Sequence, residues 1–160
     1  MNNTNYREVQ RIDPIWILGT FAFINILNYL AFMYLDVRNN DVFYPTYSMF
    51  ILLLLAYLLI RLETIYTTDG IQYRLFPFHR KFRTLNWRDL HQIEIVKIRP
   101  IRDFGGWGIR KNKGNTAFTA QGNMTLSVTE IKSGRKIFIG IKHKEKTEQF
   151  LLANGILSHG

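Results

Sequence analysis

Four histidines, His79, His91, His143 and His159, fall in four separate segments, and none makes the close pair on a helix or hairpin that marks a metal site. The chain has no cysteine, which removes thiolate nucleophiles, thiolate metal sites and disulfides together. Serine is no better placed: Ser48 sits in an apolar run, Ser127 in a strand-like segment, Ser133 in a turn and Ser158 in the tail, with no Gly-x-Ser-x-Gly elbow. Asp89, Glu94 and Asp103 are the carboxylates nearest an irregular glycine-rich stretch, and acid/base chemistry there requires Asp89, Asp103 and His91 to meet in one pocket. No catalytic residue, bound metal or cofactor is expected from these patterns, and the chain reads as a protein that works by binding.

The glycine-rich stretch Gly105-Gly106-Trp107-Gly108-Ile109-Arg110 lacks the Gly-Lys-Ser/Thr of a phosphate loop and the strand-turn-helix setting of a dinucleotide fingerprint. Either its glycines let the backbone fold tightly over the Trp107 ring, or Trp107 with Arg102, Arg110 and Lys111 presents an aromatic, cationic tip to a phosphate or to a bilayer surface. Arg80, Lys81 and Arg83 form a second basic set. These seven residues are the candidate contacts to an anionic lipid headgroup or other ligand.

The elements that must hold them divide sharply. Of 160 residues, 21 are Lys or Arg and 12 Asp or Glu, a net charge of +9, yet the division after Ile60 leaves −1 in front and +10 behind. Uncharged runs at 14–35 and 42–60 would extend about 33 and 28 Å as helices, the dimensions of membrane spans. The polar residues 36–41 between them predict an antiparallel helical hairpin. Arg7 and Arg11 before it and Arg61, Arg74, Arg80, Lys81 and Arg83 after it put both chain ends in the cytoplasm by the positive-inside bias. A cleaved signal peptide does not fit, because Ala31-Phe32-Met33-Tyr34-Leu35 offers no small-residue cleavage site. Trp16, Tyr34, Phe43, Tyr44 and Tyr47 are placed as interfacial anchors, and Asn25 and Asn28 share a helix face where each amide needs a partner, the Tyr57 hydroxyl or a backbone carbonyl. The cationic remainder would then lie against anionic lipid, each basic residue contributing on the order of 1 kcal/mol. That tether disfavours nucleic acid as the partner, and the organisation expected is an N-terminal segment 1–13, a hairpin 14–60 and a cytoplasmic domain 61–160.

Residues 61–160 read as short strands between turns. Thr64–Thr67 and Ile71–Phe76 flank Asp69-Gly70, a dipeptide that suits a tight hairpin through a positive φ. Pro77 ends that strand, Thr84–Trp87 begins another, and Gln92–Arg99 follows to Pro100. The stretch from Pro100 to Asn115 reads as a long loop, with a brief strand near Phe118–Ala120. Met124, Leu126 and Val128 alternate with Thr and Ser, and Ile137, Ile139 and Ile141 repeat the pattern across Ser133-Gly134, a second hairpin. His143–Leu152 reads as a helix with Thr147, Phe150 and Leu151 inward, stopped at Asn154-Gly155.

The two apolar runs, then Ile71-Gln72-Tyr73-Arg74, Pro77-Phe78-His79 and Leu85-Asn86-Trp87-Arg88-Asp89-Leu90, resemble bacterial two-span membrane proteins carrying a pleckstrin-homology-like domain. The resemblance implies an α+β chain: a transmembrane helical hairpin followed by a small antiparallel β-sheet or barrel capped by a C-terminal helix, multi-pass in the inner membrane, in a family mostly without assigned activity. Binding would then be to a lipid headgroup, or to protein through an open sheet edge or the groove beside the final helix. A structural subunit of a larger membrane complex is the alternative, and a tethered enzyme a third.

Overall fold

The computed structural model describes residues 5–12, 14–35 and 40–157, with the side chains at 14–17, 32, 35, 40–44 and 46 excepted. The interfacial roles expected of Trp16, Phe43 and Tyr44, most of the polar connection 36–41, and Ser158 and His159 therefore lie outside the described residues. The chain divides into two units, one formed by residues 1–11 with 60–160 and the other by Ile12–Leu59.

The second unit is α1 (Pro14–Leu35) and α2 (Asn40–Leu58), which pack against each other. The apolar runs do fold as helices, but among the described residues no helix is long and apolar enough to cross a membrane. Asn25 and Asn28 interrupt the middle of α1; α2 opens on Asn40-Asp41 and carries Pro45 inside it, which leaves a continuous apolar stretch only toward its C-terminal half. The expected two-span hairpin, the multi-pass inner-membrane placement and the partnership with a membrane through two spans are all corrected by this. The Asn25 amide donates within its own helix, to the Phe21 carbonyl at 2.7 Å. Many apolar side chains of α1 and α2 are exposed, Phe23, Ile26, Leu52 and Leu53 among them.

The first unit holds two sheets. β1 (Asn5–Arg11), β2 (Arg61–Thr67), β3 (Gly70–Phe76) and β4 (Arg83–Asn86) form an antiparallel sheet in that order. The second sheet comprises β5 (Leu90–Lys97), β6 (Gly108–Asn112), β7 (Asn115–Thr119), β8 (Met124–Glu130) and β9 (Lys136–Gly140), ordered β5-β8-β9-β7-β6. Its β7 and β9 run parallel, so the unit departs from the all-antiparallel sheet expected. The expected loop over 100–115 is also replaced. Pro100–Phe104 form a short helix, α3, and β6 and β7 make a hairpin across Lys113-Gly114, where both residues take positive φ. The β8/β9 hairpin, in contrast, has the alternation predicted, with Leu126 opposite Ile139 and Val128 opposite Ile137.

The core lies between the inner sheet faces and α4 (Lys144–Ala153). Leu62, Tyr66, Ile71 and Leu75 of the first sheet, Leu126, Val128 and Ile139 of the second, and Leu151 of α4 are all essentially inaccessible. Tyr73 and Phe118 join the sheets with ring centroids 4.8 Å apart, and Tyr66 lies against Phe150 of α4. Thr147, Phe150 and Leu151 are the buried residues of α4, the inward set predicted from the sequence.

Candidate binding groove

β5 is an edge strand whose partner among the described residues is β8 alone. Its register slips between His91 and Glu94: these face Thr129 and Ser127, so one extra residue is inserted, and Gln92 takes a φ of 50° to accommodate it. A bulge of this kind bends and twists an edge. Beyond it, Glu94 to Lys97 regain regular pairing, with Ile95 opposite the buried Leu126. The side of β5 away from β8 therefore presents main-chain donors and acceptors that the sheet does not use.

α4 lies beside that edge, and the chain returns to it after a tight stop. Gly155 adopts a φ of 65°, its N–H donates to the Leu152 carbonyl, and the N–H groups of Ile156 and Leu157 donate back to Leu151. This left-handed ending is the usual way a helix satisfies its last carbonyls and reverses the chain. It brings Ile156 and Leu157 to the same hollow as Leu152. The resulting groove has a volume of about 760 Å³, lined by Leu90, Ile93, Ile95, Leu152, Ile156 and Leu157, with His91, Glu94, Lys144 and Glu148 also contributing. Both signs of charge meet at its walls.

The candidate residues of the glycine-rich stretch are partly gathered. Trp107 donates its indole N–H to the Gly122 carbonyl at 3.1 Å, and Arg110 Nε donates to the Trp107 carbonyl at 3.2 Å. Gly105, Gly106 and Gly108 all take positive φ around the tryptophan, the backbone role that glycine alone fills without strain. Arg102 and Trp107 line a second hollow of about 660 Å³ with Ile98, Pro100 and Ile101, while Arg110 and Lys111 lie on β6. Arg80 and Lys81 are exposed in the connection between β3 and β4, and Arg83 starts β4 opposite Tyr73.

The residues weighed for catalysis are each engaged locally or apart. Asp89 accepts from the Asn86 amide, Asp103 accepts the Arg99 backbone N–H at 2.7 Å at the start of α3, and His91 belongs to the β5 groove. His79 packs its ring 5.7 Å from Phe118, and burial followed by the nearby Arg83 charge lowers its pKa. Among the described residues no three His, Asp or Glu gather as a metal site.

Sequence reasoning missed a further set, because it read residues 1–13 only as a leading segment. Arg7, Arg61 and Arg74 pair with Glu63, which is 1% exposed although it lies on the outward-facing side of the first sheet, and Arg11 lines the same hollow. The available signal was the i, i+2, i+4 spacing of Arg7, Val9 and Arg11, which places all three on one face of a strand. Comparison with known families, curated proteins and solved structures finds no match. The resemblance to two-span proteins with a pleckstrin-homology-like domain thus gains no support from relatives, and its membrane half is overturned by the helices themselves.

Proposed function

We propose that the chain is a peptide-binding module whose site is the groove between the free edge of β5 and α4. An extended segment of a partner protein adds as a strand along Glu94–Lys97 and seats alternate apolar side chains against Ile93, Ile95, Leu152 and Ile156. The observation that carries this reading is the coincidence of a strand edge left unpaired among the described residues with a hollow of about 760 Å³ beside it, whose walls set apolar side chains among polar and charged ones. Main-chain hydrogen bonds along such an edge supply affinity with little sequence preference, and the hollow supplies the selection. The bulge at Gln92 restricts the usable edge to the regular half of β5, so a short peptide is expected, about four to six residues in contact at the 3.3 Å rise of a strand.

Panning a random dodecapeptide library against the full chain tests this. The expected result is enrichment of sequences with apolar residues at alternate positions, whose binding is lost in Leu152→Asp and in Ile156→Asp. Enriched peptides that bind both variants as well as the parent, or no enrichment at all, would remove the groove from consideration.

A further inference from the structure

The strand periodicity of β1 and β2 places Arg7, Val9 and Arg11 beside Ile65, Glu63 and Arg61 on the outward side of the first sheet. Glu63 accepts from Arg7 at 2.7 Å and from Arg74 at 3.1 Å on both oxygens, and Arg61 Nε lies 2.7 Å from it. Burial alone would raise the pKa of that carboxyl, but the hydrogen bonds from Arg74 and Arg7 and the charges of Arg74 and Arg61 outweigh it and leave it lowered. Glu63 is thus a fixed anion at the floor of the cluster, fully occupied by guanidinium groups.

The cations outnumber it. A hollow of about 390 Å³ is lined by Arg7, Arg11, Arg61 and Lys142 together with Val9 and Gln121, and among the described residues Glu63 is the only acid in that lining. Arg7 and Arg61 are 59% and 39% exposed, so each keeps guanidinium N–H groups free of Glu63 and open to the hollow. Arg61 is further held over the Phe76 ring at 5.2 Å and Arg74 over Phe82 at 4.4 Å. Guanidinium forks pinned in this way are preorganised for the tetrahedral oxygens of phosphate, which they bind bidentately.

We infer that Arg7, Arg11, Arg61 and Lys142 form a binding site for a phosphate group, free or esterified to a small molecule, with Glu63 as a positioning residue that orients the arginines. Lys142 and Arg11 complete the cationic wall without holding Glu63. They are both exposed, so their replacement leaves the ion-pair cluster in place.

Titration of the full chain with inorganic phosphate and with phenyl phosphate, each against sodium chloride at matched ionic strength, tests the site by the shift in thermal midpoint and by 31P line broadening. Saturable stabilisation by either phosphate, beyond that of chloride, and at least a tenfold weaker response in the Arg11→Ser/Lys142→Ser variant are expected, with Lys111→Ser responding as the parent does. Preference for phenyl phosphate identifies an ester as the ligand form, and preference for inorganic phosphate identifies the free ion. Equal shifts from chloride, or an undiminished response in the double variant, would overturn the inference. Since the peptide groove is probed by Leu152→Asp and Ile156→Asp, either site can fail without the other.

Discussion

Gly70 shows how a residue can be read correctly for an incomplete reason. The Asp69-Gly70 pair predicts a hairpin and the hairpin is there, but Gly70 does not take positive φ. It is small because β4 lies directly over it: a Cβ at this position would collide with the Leu85 carbonyl oxygen and sit 3.0 Å from Asn86 Cα. Trp87 closes the same corner, its backbone N–H on the Asp69 carbonyl and its indole N–H on the Thr67 carbonyl at 2.9 Å. Since the obstacle is backbone, Gly70→Ala is expected to cost about 2–3 kcal/mol in chemical denaturation, the range for overpacking that no rotamer relieves. Glu63 supports a second prediction at this scale. Its folded pKa lies below the ordinary 4.5, so its contribution is complete above pH 4.5 and is lost as pH falls through the folded value. Glu63→Gln should therefore destabilise by about 2 kcal/mol at pH 7, less than a fully enclosed pair would lose because the arginines it leaves reach water. The difference from the parent should shrink as pH is lowered from 4.5 through the folded value, as denaturation across an acidic pH series will reveal.

β1 explains why part of the fold was hidden in the sequence. Its inward residues are Tyr6, Glu8 and Gln10, and its outward ones Arg7, Val9 and Arg11, so the face turned to the core is polar and the strand shows no apolar alternation. The polar inward face has a local cause: Glu8 accepts the backbone N–H groups of Lys142 and His143 at 3.2 and 3.4 Å, immediately before α4. Gln10 and Tyr6 donate to the same carboxyl. A sequence pattern that looks for apolar alternation cannot find a strand chosen to satisfy a helix start. It found β8, β9 and α4, whose inward residues are apolar apart from Thr147, and it missed the β6/β7 hairpin because glycines and basic residues there answer to turn geometry and solvent. The phosphate candidate was invisible for the same reason, since it depends on the register of β1 against β2. Glu8→Ala is expected to cost about 2 kcal/mol and to speed amide exchange at Thr147 and Leu151 roughly 30-fold, as removal of a buried acceptor from two part-buried backbone donors does. The pH trend is opposite to that of Glu63: burial raises the Glu8 pKa against its four hydrogen bonds, so its ionisation costs stability as pH rises from 4.5 through the folded value.

At the scale of the whole molecule the chain leaves the β unit at Arg11 and re-enters it at Arg61, two residues that face each other in the β1/β2 ladder. Opposed residues in an antiparallel ladder lie about 5 Å apart, so the intervening helices span no distance within the sheet. The β unit carries its own core, from Leu62 and Tyr66 through Leu126 and Ile139 to Leu151, and none of those residues belongs to α1 or α2. Replacing residues 12–60 by Asn-Gly, the dipeptide that closes two-residue hairpins, should therefore give a domain that unfolds cooperatively and keeps the near-ultraviolet dichroism of its buried tyrosines. The exposed apolar residues of α1 and α2 favour self-association, so the shortened chain should also sediment as a smaller, more uniform species than the parent. A non-cooperative melt, or loss of the tyrosine signal, would mean that the sheets depend on the helices for more than covalent connection. Retention of both signals would let the β5 groove and the arginine cluster be titrated in the absence of α1 and α2, with any change in affinity measuring what the helices contribute.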